Sequence, residues 1–401
     1  MPKPLWLLVI GMVINVTAAS FLWPLNTIYM SQELGQSLAI AGLVLMCNAG
    51  AGVIGNLIGG VMFDRIGAYR TIILSIWITI ISAFILAYNH TFFYYATLMV
   101  GLGFGSGMMF PAMYALAGKV WPQGGRKSFN AMYVAQNVGV AVGTALAGIV
   151  ASISFDWIFL ANGLVYVGLL LFVMTTFRSF ASSREKSGAT TNVFEQNQAI
   201  RSKRPLIALL ILCVGFFICW VAYVQWQSTI SVHTQNLGIH LKQYSVLWTV
   251  NGAMIVLCQP FIAFIVKRWV PTLKVQIYVG LAVFMIAYFV LTQATIFSMF
   301  LIAMIILTIG EMFVWPAIPT VAHQLAPEGK AGFYQGIVNS VATGGRMFGP
   351  FIGGVLADAY GMETLFYVLG SMFVLAFVTT AFYDRVLLTK RSEMFANKGM
   401  M

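Results

Sequence analysis

Two charged residues lie deep inside otherwise uncharged apolar runs, Glu311 and Arg346, with Asp358 nearer the end of the second run. Counted from the flanking polar segments, Glu311 and Arg346 both fall roughly 16 to 18 Å deep at 1.5 Å of helix per residue. Ionisable groups are costly in hydrocarbon, so such a pair marks either a proton or substrate pathway or a salt bridge locking two helices. A carboxyl there can exchange a proton, because burial and a nearby cation push its protonation in opposite senses. Covalent and metal chemistry have no comparable basis. His90, His233, His240 and His323 are scattered near loops, and Cys47, Cys213, Cys219 and Cys258 sit singly in apolar runs without ligand spacing. We therefore expect no enzymatic activity, no metal site and no cofactor.

The elements that must hold these charges are membrane helices. The chain is 60% hydrophobic and 8% charged, with a mean hydropathy of +0.88, far from the composition of soluble domains. Apolar runs begin near residues 5, 38, 71, 92, 129, 157, 205, 244, 275, 297, 334 and 364, each long enough to cross about 30 Å of hydrocarbon as a helix. This predicts an all-α membrane protein of about twelve spans. With a cytoplasmic N-terminus, twenty Lys and Arg residues, from Lys3 and Arg65 to Arg391 and Lys398, fall on the inside and only Lys242 outside. That asymmetry predicts a multi-pass protein of the cell membrane with both termini cytoplasmic. The net charge of +11 follows from topology, and no basic face with interleaved aromatics points to nucleic acid. Lys3 and Ala18-Ala19-Ser20 resemble a signal peptide, but removing that segment would leave an odd number of spans.

Motifs narrow the class. Residues 59 to 70 form a charged, glycine-punctuated turn between two apolar runs: Gly60, Asp64, Arg65, Gly67 and Arg70 match Gly-x-x-x-Asp-Arg-x-Gly-x-Arg-Arg, with Tyr69 in place of the first terminal basic residue. This resembles the loop between spans two and three of the major facilitator superfamily. An internal repeat agrees. Pro111 and Pro122 pair with Pro316 and Pro327 at an offset of 205, and Gly139, Gly143 and Gly148 pair with Gly345, Gly349 and Gly354 at 206. The expected organisation is an N-terminal six-helix half (1–177), a cytoplasmic linker (178–204), a C-terminal half (205–384) and a cytoplasmic tail (385–401). The resemblance implies two pseudo-symmetric halves rocking around a central cavity, a small-molecule substrate, contact with membrane lipids and protons, and a monomer as the working unit. It also implies that Asp64 and Arg65 contact the opposite half in the outward-facing state and tune the conformational equilibrium.

Gly345, Gly349, Pro350, Gly353 and Gly354 resemble the Gly-x-x-x-Gly-Pro-x-x-Gly-Gly signature of drug/proton antiporters, although that family carries it on span five, where this chain has Thr144. Such small residues let helix backbones approach closely. Gly310-Glu311 followed by Pro316, and Tyr133-Val-Ala-Gln136-Asn137, are similar to segments of bacterial proton-coupled multidrug exporters. In that reading Glu311 and Arg346 couple transport to protons, with the proton gradient as the energy source. Candidates for the substrate cavity are Trp23, Asn26, Asn48, Tyr133, Gln136, Trp220, Tyr223, Gln227, Trp248, Asn251, Trp315 and Asn339. Aromatics with a few amides suit amphipathic organic molecules better than sugars. The expected function is proton-coupled export of such compounds. Import of a sugar or organic anion and lipid or glycolipid flipping are the alternatives.

Overall fold

The computed structural model describes residues 1–22, 26, 29–30, 33–36, 38–88, 91–151, 156–178 and 203–387. The chain is a succession of helices. They are α1 (Lys3–Leu22), α2 (Leu38–Ile66), α3 (Ala68–Tyr88), α4 (Phe92–Val120), α5 (Arg126–Ala151), α6 (Asp156–Thr176), α7 (Arg204–Val224), α8 (Thr229–Asn236), α9 (Leu241–Trp269), α10 (Leu273–Thr292), α11 (Phe297–Leu325) and α12 (Ala331–Phe382). Ten candidate spans meet the length and hydropathy of a membrane crossing, one of them running from Arg204 to Asn236 and the last from Ala331 to Leu387. The expected count of about twelve is reached through two further features. α5 is 26 residues long but more polar than its neighbours. α12 is broken at Gly361, whose φ of 81° is non-helical, and each arm, 331–360 and 362–382, is long enough to cross.

The described residues form two compact units, Met1–Ala189 with Gly329–Met347, and Thr190–Glu328 with Phe348–Met401. The first turns of α12 thus belong with the helices of the first half of the chain. Most of the expected linker, and the tail from residue 388, lie outside the described residues.

In the first unit α2 packs on α4, α3 on α4 and α6, and α1 on α5. Glycine makes the α2–α4 contact a backbone contact. A Cβ at Gly55 would collide with the Phe104 carbonyl, one at Gly59 would come within 2.5 Å of Met108, and one at Gly107 would strike the Gly52 carbonyl. Membrane helices gain little from burying apolar surface against each other, so this close approach supplies the packing. Gly139 and Gly143 of α5 serve the same end against Val16 and Thr17 of α1.

In the second unit α10 packs on α11, and α9 and α7 also meet α11. On α9, Leu257, Phe261 and Phe264 are 75%, 63% and 55% exposed, an apolar stripe suited to lipid, while Asn251, Ile255, Gln259 and Ile262 are buried. At the membrane edge Lys274 donates to Asp384 Oδ1 at 2.7 Å and to the Ala381 carbonyl at 2.8 Å, tying the start of α10 to the end of α12.

Candidate functional site

Glu311 lies in the middle of α11, a helix that also contains Pro316 and Pro319. Its side chain is buried. Asn251 of α9 donates from Nδ2 to Glu311 Oε2 at 2.9 Å and to Thr308 Oγ1 at 2.9 Å. The Thr308 hydroxyl donates in turn to the Met304 carbonyl one turn back, at 2.7 Å. A hydrogen bond to a carboxylate is worth roughly 1.5 to 3 kcal/mol, so the amide fixes the carboxyl group against α9.

One turn along α11, Trp315 forms the centre of an aromatic cluster. It stacks on Trp220 of α7 with ring centres 4.8 Å apart and planes 20° from parallel, and meets Tyr223, Phe216 and Phe284 at 5.6 Å at steep angles. Trp248 of α9 adds an edge contact to Tyr223 at 6.1 Å. Six of the residues singled out from the sequence, Trp220, Tyr223, Trp248, Asn251, Glu311 and Trp315, are therefore gathered on α7, α9 and α11 of one unit. Their register explains it. Asn251 is three residues beyond Trp248, and Trp315 four beyond Glu311, so each pair shares a helix face.

Asn26, Asn48, Gln136 and Asn339 are all engaged within the first unit. Asn26 accepts from the Tyr95 hydroxyl at 2.9 Å, Asn48 donates to the Met99 carbonyl, and Gln136 donates to the Tyr114 hydroxyl at 2.7 Å. Asn339 bonds the Gln335 carbonyl of its own helix, and Tyr133 is buried. Trp23 lies outside the described residues. Gln227, placed by spacing one turn below Tyr223, does not continue that helical face, because α7 ends at Val224 and residues 225–227 form a 3₁₀ turn. The fully buried amide there is Gln225. Its Nε2 donates to the carbonyls of Val221 and Gly349, and its Oε1 accepts from Thr229 at 2.9 Å. A Cβ at Gly353 would strike Gln225, and one at Gly349 would strike Val224. Gly349 and Gly353 therefore form the surface of α12 that receives the broken end of α7. Gly354 faces open space, so this contact does not use it.

A second constellation lies in the first unit. Asp64, near the end of α2, accepts the backbone N–H of Gly332 at 2.9 Å through Oδ1 and of Phe333 at 2.8 Å through Oδ2. These are first-turn donors of α12 that no helical carbonyl can satisfy, so Asp64 caps a helix distant in sequence. A Cβ at Gly60 would collide with the Gly332 carbonyl. Farther along the same pair of helices, Ser340 donates to the Val53 carbonyl at 3.1 Å and Asn56 to Thr343 Oγ1 at 3.3 Å. Arg346, which is exposed, also donates to Thr343 Oγ1 at 3.3 Å. Arg65 and Arg70 are exposed, and Gly67 has a φ of 88° that closes the turn after α2. Glu311 belongs to the second unit and Arg346 to the first.

The sequence profile of the Major Facilitator Superfamily matches residues 8–350 and 232–395. The chain belongs to the Major Facilitator Superfamily. It is 54% identical over 385 residues to the MFS-type transporter YttB of Bacillus subtilis (strain 168), covering 96% of each chain. It is 22% identical over 380 residues to the quinolone resistance protein NorA of Staphylococcus aureus (strain MSSA476), covering 92% of this chain and 94% of that protein. Among solved structures, the human organic anion transporter MFSD10 (TETRAN) aligns with a TM-score of 0.73 at 13% identity, over 95% of this chain and 100% of that one, a likeness of fold. The chain is thus a multi-pass membrane transporter of small molecules, and the constellations around Glu311 and Asp64 belong to a transporter fold.

Spacing alone missed Thr308, Gln225, Asn56 and Thr343. Thr308 had a signal, since it lies three residues before Glu311 on the same helical face. Gln225 had none, because its burial depends on where α7 breaks.

Proposed function

We propose that this superfamily member exports hydrophobic or amphipathic organic compounds in exchange for protons, by alternating access, in the cell membrane with both termini cytoplasmic. The observation that carries the reading is the buried carboxyl of Glu311, held by Asn251 one helical turn from the Trp220–Trp315 stack. Flat aromatic surfaces accommodate varied apolar ligands through dispersion, while a single carboxyl supplies the exchangeable proton. The similarity to NorA supports a drug-like substrate. Asp64 and Arg65 act in conformational switching: the cap on α12 favours the state in which it is made, and Arg346 contributes to coupling through its place on the same helix. The protein works as a monomer without a cofactor, and its two six-helix halves, 1–177 and 205–384, rock about the linker.

Expression in a pump-deficient bacterial host, with efflux of lipophilic cations, neutral drugs and sugars compared before and after collapse of the proton gradient, tests this reading. Gradient-dependent efflux of lipophilic compounds supports it. Accumulation of a sugar or anion would establish import, and movement of lipid-linked molecules with unchanged dye efflux would establish a flippase.

A further inference from the structure

The two halves carry the same asparagine in two different uses. α2 and α9 are both 29 residues long and coincide at an offset of 203, which pairs Asn48 with Asn251. α4 and α11, also 29 residues each, coincide at 205, which pairs Met99 with Met304, Gly103 with Thr308 and Ser106 with Glu311. In the first unit Asn48 Nδ2 donates straight to the Met99 carbonyl. A side chain at position 103 would block that bond, since a Cβ there would lie 2.8 Å from Asn48 Nδ2. In the second unit the corresponding carbonyl, Met304, is taken by the Thr308 hydroxyl, and the amide of Asn251 is turned onto Thr308 Oγ1 and Glu311 Oε2.

The donor inventory makes this redirection specific. A threonine hydroxyl has one proton, and here it goes to Met304, so Thr308 has none to offer Glu311. The Asn251 amide nitrogen has two, one for each of its acceptors. The packing differs in step. Gly52, Gly55 and Gly59 of α2 are matched on α9 by Ile255, Cys258 and Ile262, and Gly107 of α4 by Met312. The α9–α11 contact is therefore made by side chains, where α2 and α4 meet through backbone.

We infer that Asn251 is the positioning residue of Glu311, and that Thr308 is the replacement that turned a helix-packing asparagine into one that holds a carboxyl. Asn251 can only donate through Nδ2, so Oε2 stays an acceptor in both protonation states. The exchangeable proton is then carried at Oε1. When Glu311 is protonated, Oε2 becomes a carbonyl oxygen and the bond from Asn251 loses its charge assistance, which loosens α9 from α11. This inference rests on Glu311 being a proton carrier, but not on the direction of transport or the substrate.

Difference infrared spectroscopy of the purified protein across a pH jump tests it without any substrate. The carboxylic C=O band of Glu311 is identified by its disappearance in Glu311→Gln. Asn251→Leu removes the donor to the carbonyl oxygen and should move this band to higher frequency. Thr308→Ala should do the same, because it frees the Met304 carbonyl to recapture Asn251 as Met99 holds Asn48, whereas Thr308→Ser should leave the band in place. If Asn251→Leu does not fold, the Thr308 pair carries the test. A Glu311 band that stays at the wild-type frequency in the folded Asn251→Leu or Thr308→Ala protein overturns the positioning role while leaving proton coupling intact. A wild type with no Glu311 band overturns proton carriage itself.

Discussion

Removing the Asp64 carboxylate should open the contact between α2 and the start of α12. The carboxylate accepts two backbone N–H groups at 2.9 and 2.8 Å, and both belong to the first turn of α12. Loss of an N-cap costs about 0.5 to 2 kcal/mol, and the interaction of a charge with a helix N-terminus about 0.3 to 1 kcal/mol at partly exposed sites. Asp64 is half-buried, so Asp64→Ala should cost about 2 kcal/mol and move the ratio of closed to open contact by about thirtyfold. Asp64→Asn keeps one neutral acceptor and should cost about half as much. Spin labels at the exposed positions 66 and 330, in a protein without native cysteines, report the contact as a distance distribution. The expected series is a dominant short distance in wild type, a mixture in Asp64→Asn and a mainly long distance in Asp64→Ala. Equal distributions in all three would refute the capping argument. A large loss of substrate affinity by Asp64→Asn in a conformation-locked protein would instead make the loop part of the binding site.

Three further perturbations test separate parts of the structure. Gly60→Val places a side chain against the Gly332 carbonyl and should lengthen the same label distance as strongly as Asp64→Ala, with Gly60→Ala intermediate. Trp315→Ala removes the ring that meets Trp220, Tyr223, Phe216 and Phe284; a loss of about 3 to 5 kcal/mol is expected from truncating a buried aromatic, read as a lower melting temperature and loss of transport for most lipophilic substrates, with Trp315→Phe retaining a subset. Lys274→Met breaks the bond to Asp384, whose partners are 25% and 35% exposed, so it should lower stability by no more than about 1 kcal/mol and leave transport kinetics unchanged.

The membrane-spanning helices were legible because their length and lack of charge are dictated by the bilayer, and the turn at Asp64 was legible because an acid–base pair has to leave it. The faces of those helices were not. Lipid is as apolar as the protein interior, so the exposed Leu257 and Phe261 and the buried Ile255 and Ile262 look alike in sequence. What identified Glu311, Asn251 and the tryptophans was polarity and size against that uniform background. Thr308 and Asn56 escaped because a small polar residue in a membrane helix usually satisfies itself on its own backbone, whereas here each is joined to a second helix. α5 was placed from the apolar run beginning near residue 129, although the helix is more polar than its neighbours. The end of α7 at Val224, and with it the exchange of Gln227 for Gln225 as the buried amide, depends on contacts with Gly349 and Gly353 far along the chain.

The proposed role of Glu311 is to carry the proton that drives transport. Glu311→Gln replaces the carboxyl with a neutral group of nearly the same shape that can still accept from Asn251, so folding and substrate binding should survive. In proteoliposomes with an imposed pH gradient, wild type should move a lipophilic dye uphill, while Glu311→Gln should equilibrate it downhill and accumulate none. Uphill transport by Glu311→Gln at the wild-type rate would contradict the account and leave Glu311 as a structural partner of Asn251.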